Sequence, residues 1–509
     1  MTRKNIDRRI LSMRSAIEVL KENNELITID KEVDPIYEIS GILKSLDGGP
    51  AVLFENIKGY PGTRDIGNFL CTRSKLSKVF GLDSPIDIFN WGREALFKGT
   101  PAKVVNDAPC QEVVITNNID VLAKLPVLKY TEEDVGRIFG GGNYLITGEY
   151  FDNGTEVSFK RTHVQGKDWA SVMAMPGSHI ALILRAHQAE KIPVTMNIGT
   201  PPAVMIVAAT GMLHTVMPWG GDELGIAGTL QGAPVEICKA KTVDAYCIAQ
   251  SEWVVEGYIH GTRDIWESKE AEKLGTGRVL PFFPEWPKYM GRARKAHKFE
   301  VTAITHRKDR PICFTPLADS FEDDIMSSVL KEAYFYHVAE GHAPGLVQDV
   351  RMINPMAISL KVQVKKRNSF DDRWIKSLIN TAFAEFTGMR LVVFVDEDVD
   401  ISNGEDLFWA MATRVNPDTG LVISPGGMGA GMVPAEITDT GDGKILSTGI
   451  STKGIGLDAT IPYNVRWNFA RPHHPVNKID LRKLLSDEQI RSIRALQSDY
   501  AKLLARIGG

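Results

Sequence analysis

The stretch NYLITGEYFDNGTEVSFKRTHVQ (143–165) decides how the middle of this chain folds. It reads as two strands, 143–151 and 155–165, flanking Asn153-Gly154. Asn-Gly between two such runs signals a hairpin, because both residues tolerate positive φ. Strand alternation puts Glu156, Ser158 and Lys160 on one face and Val157, Phe159 and Arg161 on the other. An arginine beside an aromatic on an otherwise apolar strand face points inward and needs an anionic partner. An internal carboxylate is the commoner partner; a ligand is the alternative.

Downstream of the hairpin, 178–191 predicts a helix and 193–199 a strand. The segments 228–240 and 298–306 continue the strand-rich pattern. Many strands with few helices point to a barrel or a curved sheet that holds a ligand. Upstream, Ile10, Met13, Ile17 and Leu20 have helical spacing. Strands at 25–33 and 51–57 flank a helix at 35–46 that starts at a proline. From about residue 320 the rhythm becomes a clean α/β alternation: helices at 321–340, 371–386 and 405–414, strands at 345–352, 357–365 and 390–398. The last helix begins at Ser486, with Gln489 completing a capping box. Its apolar stripe runs through Ile490, Ile493, Tyr500, Leu503, Leu504 and Ile507.

Composition limits the function classes. The 509 residues call for two or three domains, and an apolar fraction of 43% is that of a soluble globular protein. With 59 basic against 63 acidic residues the net charge is −4, so nucleic acid is not an expected partner. The charged N-terminus does not read as a signal peptide and no apolar run reaches membrane-spanning length, so a cytoplasmic protein is expected. Five scattered cysteines, none in a CxxC pair, fit reduced thiols.

Most generic motifs are absent. There is no P-loop, no zinc-hydrolase spacing and no GxSxG. Gly140-Gly141-Gly142 and PGGMGAG (425–431) lack a dinucleotide-binding frame and read as flexible loops. VDEDVD (395–400) gathers four carboxylates at a strand end and reads as a solvated end rather than a metal site.

Several ordered blocks resemble the UbiD family of decarboxylases. They are FKRTHVQGKD (159–168), MPGSHI (175–180), DELGIAGTLQGAPVEICK (222–239), EWVVEGYI (252–259), PEWPKY (284–289), VDEDVDISNGEDLFWAMATRVNP (395–417), GIGLDAT (454–460) and RWNFARP (466–472). The resemblance implies an α/β (α+β) fold in five parts. An N-terminal α/β region (1–110) precedes a flavin-reductase-like split β-barrel that binds the cofactor (111–315). A linker helix (316–342), a C-terminal α/β oligomerisation domain (343–480) and a C-terminal helix (481–509) follow.

The resemblance also implies an activity, the reversible non-oxidative decarboxylation of an aromatic or heteroaromatic carboxylic acid with prenylated FMN. Arg161 matches the arginine that grips the substrate carboxylate, and Glu285 the acid that protonates the carbon after CO2 leaves. Phe159, Lys160, Arg161, Met175, Ser178, His179 and Glu223 match cofactor-contacting positions. Glu156, His179 and Glu223 match the ligands of a Mn2+ or Mg2+ ion, with K+ as a further candidate ion. The implied partners are a small aromatic acid and CO2, a flavin prenyltransferase that supplies the cofactor, and further copies of the chain in a homodimer or homohexamer.

Two positions depart from the family pattern. Glu156 stands where many members have asparagine. Leu280 stands where many have a second glutamate, five residues before the acid. By spacing, the set of one arginine and two glutamates is therefore incomplete, which is closest to the protocatechuate (dihydroxybenzoate) decarboxylase branch. The alternative is a reductase-like flavin protein without decarboxylase activity, which would have no need of an acid at Glu285.

Overall fold

The computed structural model describes residues 10–211, 215–277, 281–352, 358–386, 388–425, 437–439, 445–447, 453–472 and 478–493. The chain divides into two compact units, Met1–Tyr463 and Asn464–Gly509. Most of PGGMGAG, the departure at Leu280 and the stripe beyond Ile493 lie outside the described residues.

The first unit opens with a helix, Met13–Glu22, capped by Ser12. A four-stranded sheet follows, in the order Leu26–Ile29, Ala51–Phe54, Arg64–Gly67, Ile312–Phe314. The helix expected from Pro35 starts only at Glu38, because Tyr37 sits at φ 69°. Tyr37 N donates to Lys129 O at 2.9 Å, and that long-range tie displaces the helix start.

The central sheet contains Ile138–Phe139 (β1), Gly142–Thr147 (β2), Thr155–Phe159 (β3), Thr162–Val164 (β4), Trp169–Val172 (β5), Lys191–Ile198 (β6), Trp253–His260 (β7) and Lys295–His306 (β8). Its order is β1-β4-β5-β8-β7-β6-β2-β3, antiparallel throughout. β3 forms one edge and β4 lies next to the other, yet only Lys160 and Arg161 separate them in sequence. Laid flat, six strand steps would hold them about 29 Å apart. The chain from Phe159 to Thr162 reaches at most about 11 Å. The sheet must therefore curl until its two sides face each other, leaving a seam at Lys160-Arg161.

The β2–β3 hairpin forms with a longer connection than Asn-Gly alone implies. β2 stops at Thr147, a 3-10 turn spans Gly148–Phe151, and Asp152 (φ 46°) and Asn153 (φ 63°) carry the left-handed turn. Gly154 serves a different need, since a Cβ there would lie 2.5 Å from the Gly220 and Gly221 carbonyl oxygens. Two further expectations change. The segment from 228 begins as helix rather than strand: Glu223–Gln231 is helical, Gly232 ends it in the left-handed region, and Glu236–Lys239 is the strand. That helix is buried on nearly every side, so it shows no amphipathic period. The triple glycine is packed tightly rather than flexible. A Cβ on Gly141 would come within 2.0 Å of Phe314 O, and one on Gly142 within 2.6 Å of Met196 Sδ.

The central helices are His179–Ala186 (α1), Pro202–Thr210 (α2), Glu223–Gln231 (α3) and the 22-residue Phe321–His342 (α4). α4 leads to a five-stranded sheet in the order Val347–Arg351, Ser359–Val364, Leu391–Asp396, Ile455–Ala459, Leu421–Ile423. VDEDVD at its end is built into this domain: Asp396 is buried, accepts from Ile461 N at 2.7 Å and pairs with Arg414 at 3.3 Å. In the second unit, Ser486 and Gln489 form the expected capping box. Among the described residues no helix is long and apolar enough to cross a membrane.

Gly141→Ala should destabilise the protein by about 1–3 kcal/mol, the usual cost of overpacking. Denaturant unfolding measures it; an unchanged midpoint would mean that the Phe314 strand gives way freely.

Candidate active site

Three elements bring Glu156, His179 and Glu223 together. Glu156 is on β3, while His179 and Glu223 are the first residues of α1 and α3. Ser178 caps α1 and donates to Met175 O at 2.8 Å; Asp222 caps α3 and accepts from Thr155 Oγ1 at 2.7 Å. These caps fix both helix starts against the strand. The three side chains are buried, and one ligand atom from each lies within 4.8 Å of the others. His179 Nδ1 is 3.2 Å from Glu223 Oε1 and 3.6 Å from Glu156 Oε2. Val157 N donates to Glu223 Oε2 at 2.7 Å. Burial, reinforced by the charge of Glu156, pushes Glu223 up to about 7. Burial opposes the imidazolium of His179, but the two carboxylates outweigh it and raise His179 to about 9. Two buried carboxylates and an imidazole form a donor set suited to a hard divalent cation.

The expected same-face relation along β3 is present as a hydrogen-bonded row. Lys160 Nζ donates to Ser158 Oγ at 2.6 Å, and Ser158 Oγ donates to Glu156 Oε1 at 2.5 Å. Burial lowers the pKa of Lys160 against the opposing pull of Glu156 and Glu223.

Arg161, at the seam, lies between two glutamates. Glu267 holds it in a fork, with Nε to Oε1 at 2.9 Å and Nη2 to Oε2 at 2.8 Å. Nη1 donates to Glu285 Oε1, and the guanidinium lies 4.7 Å over the Phe282 ring. Glu285 sits in the turn between Pro281–Pro284 and Met290–Arg292, held by its N–H to Tyr289 O at 3.0 Å. Gly291 allows this approach, because a Cβ there would lie 2.6 Å from Glu285 Oε1 and 3.1 Å from Arg161 Nη1. Arg161 thus has two carboxylate partners, Glu267 and Glu285, although no glutamate stands five residues before Glu285. Sequence gave no sign of Glu267, since its partner lies 106 residues away.

Arg161 and Glu285 face the same cavity of ≈ 360 Å3 as Glu156, His179 and Glu223. Phe159, Lys160, Met175 and Ser178 line it, alongside Trp286 and residues of α4.

Three segments match the three domain patterns of the UbiD family, described as 3-octaprenyl-4-hydroxybenzoate carboxy-lyase: the N-terminal domain over 17–94, the Rift-related domain over 103–318 and the C-terminal domain over 324–449. The chain belongs to the UbiD family. Gallate decarboxylase from Lactiplantibacillus plantarum is 30% identical over 466 residues, covering 87% of this chain and 92% of that protein. The apo 3,4-dihydroxybenzoic acid decarboxylase of Klebsiella pneumoniae superposes with a TM-score of 0.81 at 29% identity, over 91% of this chain and 97% of that one. The UbiD-class enzyme HmfF from Pelotomaculum thermopropionicum, solved with FMN, gives 0.79 at 27% identity over 93% and 100%. An evolved dimeric form of HmfF, solved with prFMN, gives 0.77 at 26% identity over 93% and 100%. As a UbiD-family chain with this mixed α/β fold, the protein is a carboxy-lyase.

Removing one partner of a buried ion pair strands the other charge. Glu267→Ala should cost about 3–5 kcal/mol. Glu285→Gln keeps an acceptor for Nη1 and should cost much less. Thermal unfolding of the two variants separates them, and equal losses would contradict the dominance of the Glu267 fork.

Proposed function

We propose that this UbiD-family protein decarboxylates an aromatic carboxylic acid with prenylated FMN, that Arg161 orients the substrate carboxylate and that Glu285 moves the proton. The observation that carries this reading is one cavity lined both by the Arg161–Glu285 pair, with Glu267 behind the arginine, and by the Glu156/His179/Glu223 group. The HmfF complexes with FMN and prFMN support the cofactor, and the gallate and dihydroxybenzoate decarboxylases support the substrate class.

The residues present fit the implied groups. Glu156, His179 and Glu223 would hold Mn2+ or Mg2+, whose charge offsets two carboxylates that otherwise repel each other in a buried site. The N-termini of α1 and α3 favour a phosphate near that ion. Phe159, Lys160, Met175 and Ser178 would contact the flavin. When bound, prenylated FMN supplies the electron sink that no side chain offers.

The chain's own residues have separate tasks. Glu267 keeps Nε and Nη2 occupied, so Nη1 is the edge of Arg161 that a substrate carboxylate can take from Glu285. A single guanidinium then faces three carboxylates, and charge balance in a buried site favours bringing a proton in with the substrate. Carried by Glu285, that proton stands beside Arg161, ready for the ring carbon that loses CO2. Arg161 cannot fill this role, because a guanidinium does not deprotonate at neutral pH. A homodimer or homohexamer fits the 71% exposure of Phe408 on the helix Gly404–Arg414.

Glu223→Ala should lose bound Mn2+ and most of the flavin, while Glu156→Asn, which retains an oxygen ligand, should keep part of both. Metal analysis and flavin absorbance report the result; wild-type flavin content in Glu223→Ala would refute the ligand assignment. Glu285→Gln should bind flavin and substrate yet fail to exchange the product's ring hydrogen for deuterium. Incubating product in D2O with each variant and following the ring proton by NMR tests this; exchange at the wild-type rate removes Glu285 from the acid role.

A further inference from the structure

α4 sends a row of polar side chains into the same cavity. Asp323, Ser327 and Lys331 follow at i, i+4 and i+8, so they share one face of the helix, and all three line the cavity. Ser327 is 2% exposed and Lys331 5%. Other acids on this helix have protein partners: Glu322 accepts from Leu70 N at 2.8 Å, and Glu332 accepts from Met352 N at 2.7 Å and pairs with Arg73. The side chains of Asp323, Ser327 and Lys331 have no hydrogen bond and no ion pair with any described residue. An ammonium that lines a cavity and has no partner among the described residues is placed to meet one in a ligand.

The row has a direction. Asp323 lies within electrostatic reach of Glu285, whereas the charges acting on Lys331 are Asp323 and Glu332. Lys331 is about 12 Å further along the helix than Asp323. It forms a third charged pole of the cavity, apart from the carboxylate-binding Arg161 and from the Glu156/His179/Glu223 group. Burial pushes Asp323 well above the usual carboxylate range, which favours its O–H form, and lowers Lys331 to about 8. The row then offers an O–H, a hydroxyl and an ammonium, all able to donate.

We propose that Asp323, Ser327 and Lys331 form a recognition site for an oxygen substituent on the substrate ring, remote from the carboxylate held by Arg161. Its chemistry is that of an oxyanion or a group that readily becomes one: a phenolic hydroxyl or a second carboxylate. This rests on the aromatic-acid reading above and narrows it, because an unsubstituted benzoate would offer the ammonium of Lys331 nothing to bind.

The test uses holoprotein made together with a flavin prenyltransferase. Equilibrium binding of benzoate, 3-hydroxybenzoate, 4-hydroxybenzoate and terephthalate is measured by calorimetry for the wild type, Lys331→Met and Lys331→Arg. The wild type should bind at least one oxygen-bearing ligand about tenfold or more tighter than benzoate, as a charge-assisted hydrogen bond to a buried group provides. Lys331→Met should bring that ratio close to one, and Lys331→Arg should retain most of it. Preference for the phenols or for the dicarboxylate identifies which oxygen group is read. A wild type that does not prefer any of the three, or a Lys331→Met ratio equal to wild type, overturns the inference. So does loss of flavin from Lys331→Met, which would assign the lysine to the cofactor. CO2 release is followed separately: a preference without any decarboxylation sinks the reaction and leaves the recognition site standing, and decarboxylation without preference does the reverse.

Discussion

The site depends on a two-residue joint. Lys160 and Arg161 connect strands on opposite sides of one antiparallel sheet. That connection forces the sheet to curl, and it places a lysine and an arginine where the curl fails to close. A guanidinium so placed has little exposure to water, so its donors are met largely inside the fold. Glu267 meets two of them with good geometry and Glu285 meets a third. The remaining features follow outward: the turn that carries Glu285, the Gly291 backbone that leaves it room, and the Phe282 ring beneath the guanidinium.

The two carboxylates on Arg161 are not equivalent. Glu267 is 1% exposed and forked, and it also accepts from Arg294 N at 2.8 Å. Glu285 holds a single edge from a turn that borders the cavity. A fixed partner and an exchangeable one are what a site needs if it must keep its arginine oriented while a third carboxylate enters. The Glu156/His179/Glu223 group is fixed in a different way, through capped helix starts and a strand, elements that hold a ligand set more firmly than loops do.

How much of this was legible in sequence follows from which interactions are local. The β2–β3 hairpin and the row of Glu156, Ser158 and Lys160 depend on alternation within a few residues, and sequence pattern reaches them. The internal carboxylate expected for Arg161 exists, but naming it needed the fold, because Glu267 is a strand-end glutamate with nothing unusual around it. α3 is buried on nearly all sides, so its apolar run carries no helical period and resembles a strand. Gly140–Gly142 read as a loop because sequence cannot distinguish a glycine that moves from one pressed against Phe314. The five named blocks of the middle and the three of the C-terminal half carried the family, and with it the positions of His179, Glu223 and Glu285, which no generic spacing rule would have joined.

The α4 row is the opposite case: the pattern was visible and its meaning was hidden. Asp, Ser and Lys at i, i+4 and i+8 are what a solvent-facing helix stripe looks like. Only burial reverses the reading, since the same residues that solvate cheaply on a surface are costly in a cavity. α4 is also the segment that leads from the curled sheet into the C-terminal sheet, and most of its length is packed. Its polar face therefore cannot swing away to find water. The charge pattern of the cavity is set by the backbone, with Lys160 and Arg161 at the seam, Glu156 on β3 beside His179 and Glu223 at two helix starts, and Lys331 on α4. A ligand that is anionic at one end and oxygen-bearing at the other would meet Arg161 and Lys331 at once, which neither cation on its own would select for.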